Sequence, residues 1–329
     1  MKRFNCDCGQ PLFFDSSICV SCGTAVGFDP GMMTMRTLPP PGERTDLHRC
    51  ANGTQFDACN WLHNATTDAA LCFGCQFNRT IPNLDHPLNL ERWRKLEAAK
   101  KRLLFTLLSL RLPLTPGELA FDFVEDSRSN PDLVDQSIRY TGYDPGLITV
   151  NVLEADDVVR ESEREAVNEQ YRTLLGHLRH ESGHHYLELL LAEPADQAAF
   201  AERFGDPTQN YRGALDRYYA EGPAPDWRAR CISSYASSHP VEDWAETWGH
   251  YLHIQDVLET AATHAVIPTY VATAELGVRI TAWRELSITL NELNRSIGHG
   301  DAYPFVVTTA VESKLAFVDG FVSRLQTRP

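Results

Sequence analysis

His180, Glu181 and His184 stand in the order H-E-x-x-H. On a helix, residues four apart share a face, so both imidazoles would reach one metal ion. Glu181 would then sit beside that ion, placed to take a proton from a bound water. The surroundings suit a helix. From Arg164 to Leu191 there is no proline, and Ala166, Tyr171, Leu174, Leu175, Leu178 and Leu189 recur at helical intervals. Gly183, lacking a side chain, would let another element pack close to the ligands.

A zinc site of this kind needs a third protein ligand and an open fourth position. Downstream, Ser238 or His239 followed by Pro240 reads as a helix start, and the helix is expected to run through Trp248, Tyr251, Leu252 and Ile254. Glu242 and Glu246 then lie one turn apart on one face. Glu242 can reach the metal while Glu246 accepts a hydrogen bond from a ligand imidazole. Gly249 on the same side again permits close helix contact. Asp243 points off that face and is the reserve ligand. Tyr235 and His253 are candidates for stabilising a transition-state oxyanion. His177, His185, His239 and His250 read as surface or capping residues.

Eight of the nine cysteines lie before residue 76. Cys6, Cys8, Cys19 and Cys22, with turn-forming Gly9 and Gly23, have the spacing of a zinc ribbon. Cys50, Cys59, Cys72 and Cys75 make a second set that ends in C-x-x-C, with His48 or His63 as substitutes for Cys50 or Cys59. Zinc on thiolates would supply folding energy to a region with little core of its own. Cys231 reads as a small buried residue.

These motifs together resemble a gluzincin-type zinc metallopeptidase. More closely, the run Tyr171 to His177 into the metal motif, the segment His239 to Glu246 and the late Tyr303-Pro304-Phe305 resemble a family of bacterial zinc-binding metallopeptidases with an N-terminal zinc-ribbon region. The resemblance covers the whole chain. It implies Glu242 as metal ligand and Glu246 as support for a histidine, and it makes the strand expected before the ligand helix either a sheet edge that holds an extended peptide by main-chain pairing or a plain structural strand.

The 329 residues carry a net charge of −14, yet residues 1–100 are neutral, so the excess lies wholly in the remainder. That charge disfavours nucleic acid and anionic membranes as partners. The longest apolar run, Leu103 to Leu112, is far shorter than the ~20 residues that span a bilayer. Met1-Lys2-Arg3 runs into Phe4-Asn5-Cys6 without a hydrophobic signal segment, so the expected location is the cytoplasm.

The expected organisation is a zinc ribbon over 1–28, a Pro/Gly-rich linker over 29–47, a second cysteine module over 48–84, and a zincin-like metallopeptidase domain over 85–329. The fold class is α+β, mostly helical with a small β-sheet. Leu88 to Leu112 reads as a helix whose Arg92, Arg94, Lys95, Lys100, Lys101 and Arg102 form a solvated face. Leu147 to Leu153 reads as a strand, and Trp283 to Leu293 as a further helix. The expected activity is hydrolysis of peptide bonds in a peptide or protein substrate, with one catalytic zinc, one or two structural zincs, and docking through the ribbon. The other function class is a zinc-ribbon regulator or adaptor with a vestigial or self-inhibited peptidase fold.

Overall fold

Short strands stapled by cysteines open the chain, and long helices close it. The computed structural model describes residues 1–40, 42–43, 45–64, 70–135, 137–166 and 173–327. By packing, the chain divides into two units, Met1–Ala166 and Val167–Pro329. The fold class is α+β, as expected.

In the first unit, β1 (Phe4–Asn5) pairs antiparallel with β2 (Pro11–Leu12), and β3 (Val26–Asp29) with β4 (Thr34–Thr37). A linker or strap was expected from Asp29 onward, but the chain turns back at once into β4. The Asp29 carboxylate closes that turn by accepting from the Gly31 amide at 3.0 Å, as Asp does where a turn leaves amides unpaired. Next come β5 (Leu47–Arg49), α1 (Ala51–Phe56) and β6 (Leu62–Asn64), with β5 and β6 antiparallel. β7 (Asn78–Thr80), α2 (Asn89–Ser109), β8 (Ala120–Val124), β9 (Gly142–Asp144), β10 (Leu147–Asn151) and α3 (Asp157–Ala166) complete the unit.

The cysteine region lacks enough apolar residues to close its own core, and α2 supplies the remainder. Phe105 of α2 packs against Phe14 with ring centroids 5.3 Å apart, and Phe14, Phe28 and Trp61 form the rest of that cluster. Edge-on and tilted ring pairs of this kind add roughly 0.5–1.5 kcal/mol each beyond the burial of area.

Two expectations fail here. The basic residues of α2 are only in part a solvated face: Lys95 is exposed and Arg94 and Arg102 half-buried, but Arg92, Lys100 and Lys101 are buried. Their partners are distant in sequence or lie a turn away on the buried side: Arg92 pairs with Asp156 at 2.7 Å, and Lys100 with Glu97 at 2.8 Å. The second concerns the substrate-holding edge. The sheet order is β7-β8-β10-β9, so the expected strand, β10, lies inside the sheet with β8 parallel on one side and β9 antiparallel on the other. It pairs with β8 along its whole length and with β9 over Leu147–Thr149, so it is an interior strand of the sheet.

The second unit is helical: α4 (Leu174–Leu191), α5 (Pro194–Phe204), α6 (Tyr211–Glu221), α7 (Trp227–Arg230), α8 (Pro240–Thr263), α9 (Leu276–Ser296) and α10 (Thr309–Gln326). The helix of the H-E-x-x-H motif starts later than its apolar spacing suggested. Thr173 caps it by accepting from the Gly176 amide at 3.0 Å. Of the residues expected upstream, Tyr171 lies outside those described. α8 begins as expected, with His239 as cap and Pro240 in the first turn. Trp244, Trp248, Tyr186, Phe200, Leu315 and Val318 fill the core. Gly205 and Gly222, both at positive φ, end α5 and α6. Among the described residues, no helix is long and apolar enough to cross a membrane.

Candidate active site

α4 and α8 pack face to face because small residues meet large ones along the seam. A Cβ on Gly183 would come within 3.0 Å of the Ala245 Cα and 3.2 Å of the Trp248 ring. Gly249 lies against the backbone of His180. The indole N–H groups find partners across the seam. Trp244 donates to the Gly183 carbonyl at 2.8 Å, and Trp248 to the Ser182 hydroxyl at 3.1 Å. Arg179 pairs with Asp256 further along. Register and separation are therefore set before any ion is considered.

That register brings His180, His184 and Glu242 together, with one ligand atom from each lying within 4.8 Å of the others. His180 Nδ1 is committed to Glu246 Oε1 at 2.7 Å, so Nε2 is left for a metal. Glu242 is 1% exposed. Its Oε2 lies 3.1 Å from His180 Nε2, and its Oε1 lies 3.9 Å from His184 Nε2. Oε2 accepts no hydrogen bond, although it is buried. A buried carboxylate oxygen is costly to leave without a partner. One left beside the His180 imidazole, on a carboxylate whose other oxygen is the nearer to His184, fits a cation.

The electrostatics agree. Burial would push the Glu242 carboxyl up, but His180, His184 and the Tyr211 hydroxyl outweigh it and hold the group down at about 2. Burial alone would lower His180, yet Glu242 and Glu246 hold its imidazole well above the ordinary value. The pocket is built to keep positive charge in place.

Glu181, 5% exposed, has His177 Nε2 at 3.3 Å from its Oε1. His177, read as a surface or capping residue, instead stands one turn before Glu181 on the same face, a relation its i, i+4 spacing contained. Tyr235 has its ring 6.0 Å from that of His180. Burial and the charge of Glu242 raise its phenol, which stays a neutral donor.

Tyr211 was missed altogether. Its hydroxyl donates to Glu242 Oε1 at 2.6 Å, and nothing in its spacing relates it to either ligand helix.

Several candidates lie elsewhere. His253 packs its ring against Trp283 and Tyr303, at 5.8 and 5.2 Å, two turns along α8 from Glu246. Asp243, the reserve ligand, pairs with the buried Lys314 of α10. Its position next to Glu242 turns it about 100° around the helix. His185 and His250 are buried rather than at the surface, and the Tyr303 hydroxyl meets His250 Nδ1 at 2.9 Å. His239 is the cap of α8, accepting from the Val241 amide at 3.2 Å.

The cysteines gather as two clusters, Cys6/Cys8/Cys19/Cys22 and Cys50/Cys59/Cys72/Cys75, each with its sulfurs within 4.8 Å of one another. A tetrahedral zinc with bonds of about 2.3 Å sets sulfur–sulfur edges of about 3.8 Å. The pairs Cys6–Cys22 and Cys8–Cys19 lie at 3.7 Å, and Cys59–Cys72 at 3.5 Å. All nine cysteines are free, so these are not disulfides. His48 and His63 face each other across β5 and β6 instead of replacing a cysteine.

Lys101 stands behind the second cluster. Burial would depress its ammonium, but Cys59, Glu97 and Cys75 raise it above the ordinary value. A centre of four thiolates and one zinc carries net negative charge, which this buried lysine offsets.

Residues 89–321 match the family model described as "Putative zinc-binding metallo-peptidase", and residues 3–86 match a zinc-ribbon domain. The chain belongs to that metallo-peptidase family. Proteins from Mycobacterium bovis and from Mycobacterium tuberculosis strains CDC 1551 and H37Rv, each described as uncharacterized, are 38% identical over 340 residues. The similarity covers 99% of this chain and 96% of each of theirs. No solved structure matches the chain at a significant level. The two family segments meet between residues 86 and 89, within the first packing unit. α2 and the strands β8, β9 and β10 thus belong by sequence to the metallo-peptidase segment and by packing to the first unit, while β7 of the same sheet comes from the ribbon segment.

Proposed function

We propose that the protein is a zinc-dependent peptidase of the gluzincin kind, cleaving peptide bonds in a peptide or protein substrate. One observation carries the reading: the buried Glu242 carboxylate meets both imidazoles, its Oε2, which accepts no hydrogen bond, beside His180 and its Oε1 nearer His184, with a second buried carboxylate, Glu181, on the same helix as those imidazoles. His180, His184 and Glu242 would hold the ion. Bound there, zinc supplies a Lewis acid that acidifies water and polarises a carbonyl.

The chain's own residues do the remainder. Glu246 accepts from His180 Nδ1 and so fixes both the tautomer and the ring orientation. Burial would raise the Glu181 carboxyl, but His177 and the flanking imidazoles lower it, so it begins as a base. With His177 on Oε1, the other oxygen of Glu181 takes the proton and returns it to the leaving amine. Tyr235, a neutral phenol, is a donor available to an oxyanion. The nine free thiols suit a reducing compartment, and we place the protein in the cytoplasm.

The test pairs metal content with cleavage of a peptide library followed by mass spectrometry. Glu181→Gln should keep wild-type zinc while losing turnover by ~10²–10⁴-fold. His180→Ala/His184→Ala should lose one zinc equivalent. Undiminished turnover in the first variant, or an unchanged zinc count in the second, would refute the reading.

A further inference from the structure

A carboxylate offers a metal one oxygen or two, and the difference decides how much of the coordination sphere remains for anything else. At Glu242 the two oxygens are not equivalent. Oε1 receives the Tyr211 hydroxyl at 2.6 Å, while Oε2 has no hydrogen-bond partner. That hydroxyl engages Oε1 and leaves Oε2 as the oxygen open to a metal.

Tyr211 is itself held in place. It is the first residue of α6, directly after Asn210, whose side chain caps that helix by accepting from the Gly213 amide at 3.1 Å. Its ring stands edge-on to His239 at 5.1 Å, and His239 Nε2 lies 3.3 Å from the Gln209 carbonyl. His239 also caps α8, three residues before Glu242. One imidazole therefore ties the start of the tyrosine's helix to the start of the glutamate's helix.

We propose that Tyr211 is the positioning residue that makes Glu242 a one-oxygen ligand and so keeps part of the metal's coordination sphere open to substrate. The inference rests on the metal-site reading above. Without the hydroxyl, Oε1 is a second buried oxygen lacking a donor, and the carboxylate turns to chelate with both.

Tyr211→Phe keeps the ring, and the residue is 43% exposed, so no cavity opens in the core. The histidine site is emptied with a mild chelator and refilled with Co²⁺ while the cysteine centres keep zinc. Spectra are taken as differences against His180→Ala/His184→Ala protein treated alike. Tyr211→Phe should take up Co²⁺ with a weakened visible absorption, the mark of a higher coordination number, and should bind azide ~10-fold more weakly than wild type. Tyr218→Phe, which removes a hydroxyl from the same helix that bonds to Ser234, should match wild type. A Tyr211→Phe spectrum and azide affinity equal to wild type would overturn the proposal. Complete loss of Co²⁺ uptake would also overturn it, since the hydroxyl would then govern binding itself rather than the choice of oxygen. A wild-type difference spectrum with no Co²⁺ bands would instead sink the metal-site reading beneath it.

Discussion

Two glycines face the ligand helices from opposite sides of one seam, and their substitution by alanine should have opposite results. At Gly183 the new Cβ would stand 3.0 Å from the Ala245 Cα and 3.2–3.3 Å from Trp248. A backbone atom cannot swing aside, so α8 must move away from α4 by a few tenths of an ångström. Overpacking of this sort costs about 1–3 kcal/mol, against which alanine recovers about 0.5–1 kcal/mol of helix propensity. The net loss is about 0–2.5 kcal/mol. The larger effect should fall on metal, because the same movement stretches the 2.7 Å contact between His180 and Glu246. Loosening such a support costs ~10-fold or more in affinity. At Gly249 the new Cβ would meet nothing closer than His180 N at 3.5 Å, an ordinary contact. Gly249→Ala should therefore gain about 0.5–1 kcal/mol and hold zinc as wild type does. Chelator competition reads the affinity, and denaturant unfolding followed by tryptophan fluorescence reads the stability. Equal zinc affinity in the two variants would refute the claim that the seam sets the site.

Lys101→Met should destabilise the first unit by about 3–5 kcal/mol, because it leaves the second cysteine cluster and Glu97 short of a buried cation; faster zinc release to a colorimetric chelator at unchanged zinc stoichiometry would accompany it. Asp243→Asn should lower the unfolding midpoint by stranding Lys314, yet leave zinc content and turnover intact; loss of a zinc equivalent would restore Asp243 as a ligand.

Helical spacing carried most of the site. His180 and His184, and Glu242 with Glu246, are each one turn apart, so their pairings could be read before any tertiary structure was known. The prediction that Gly183 and Gly249 admit close packing had the same local origin. The cysteine sets were legible because four thiols at turn spacing are the donor set of a zinc ribbon. Non-local arrangements were hidden. Tyr211 reaches Glu242 through the placement of a whole helix, which no periodicity encodes. Lys100 and Lys101 look like a solvated charge run until Glu97 and the thiols of the second cluster are seen beside them. The interior position of β10 depends on parallel pairing with β8, more than twenty residues away. The late start of α4 is set by the Thr173 cap, which competes with an apolar pattern that points further upstream.

The unusually basic imidazole of His180 has one more consequence. A metal binds only a neutral imidazole, so any proton that His180 holds beside the two glutamates has to leave as the ion binds. Loading the site is thus an exchange, with the ion entering as that proton leaves. Acidity and metal supply act on the site as competitors for a single seat.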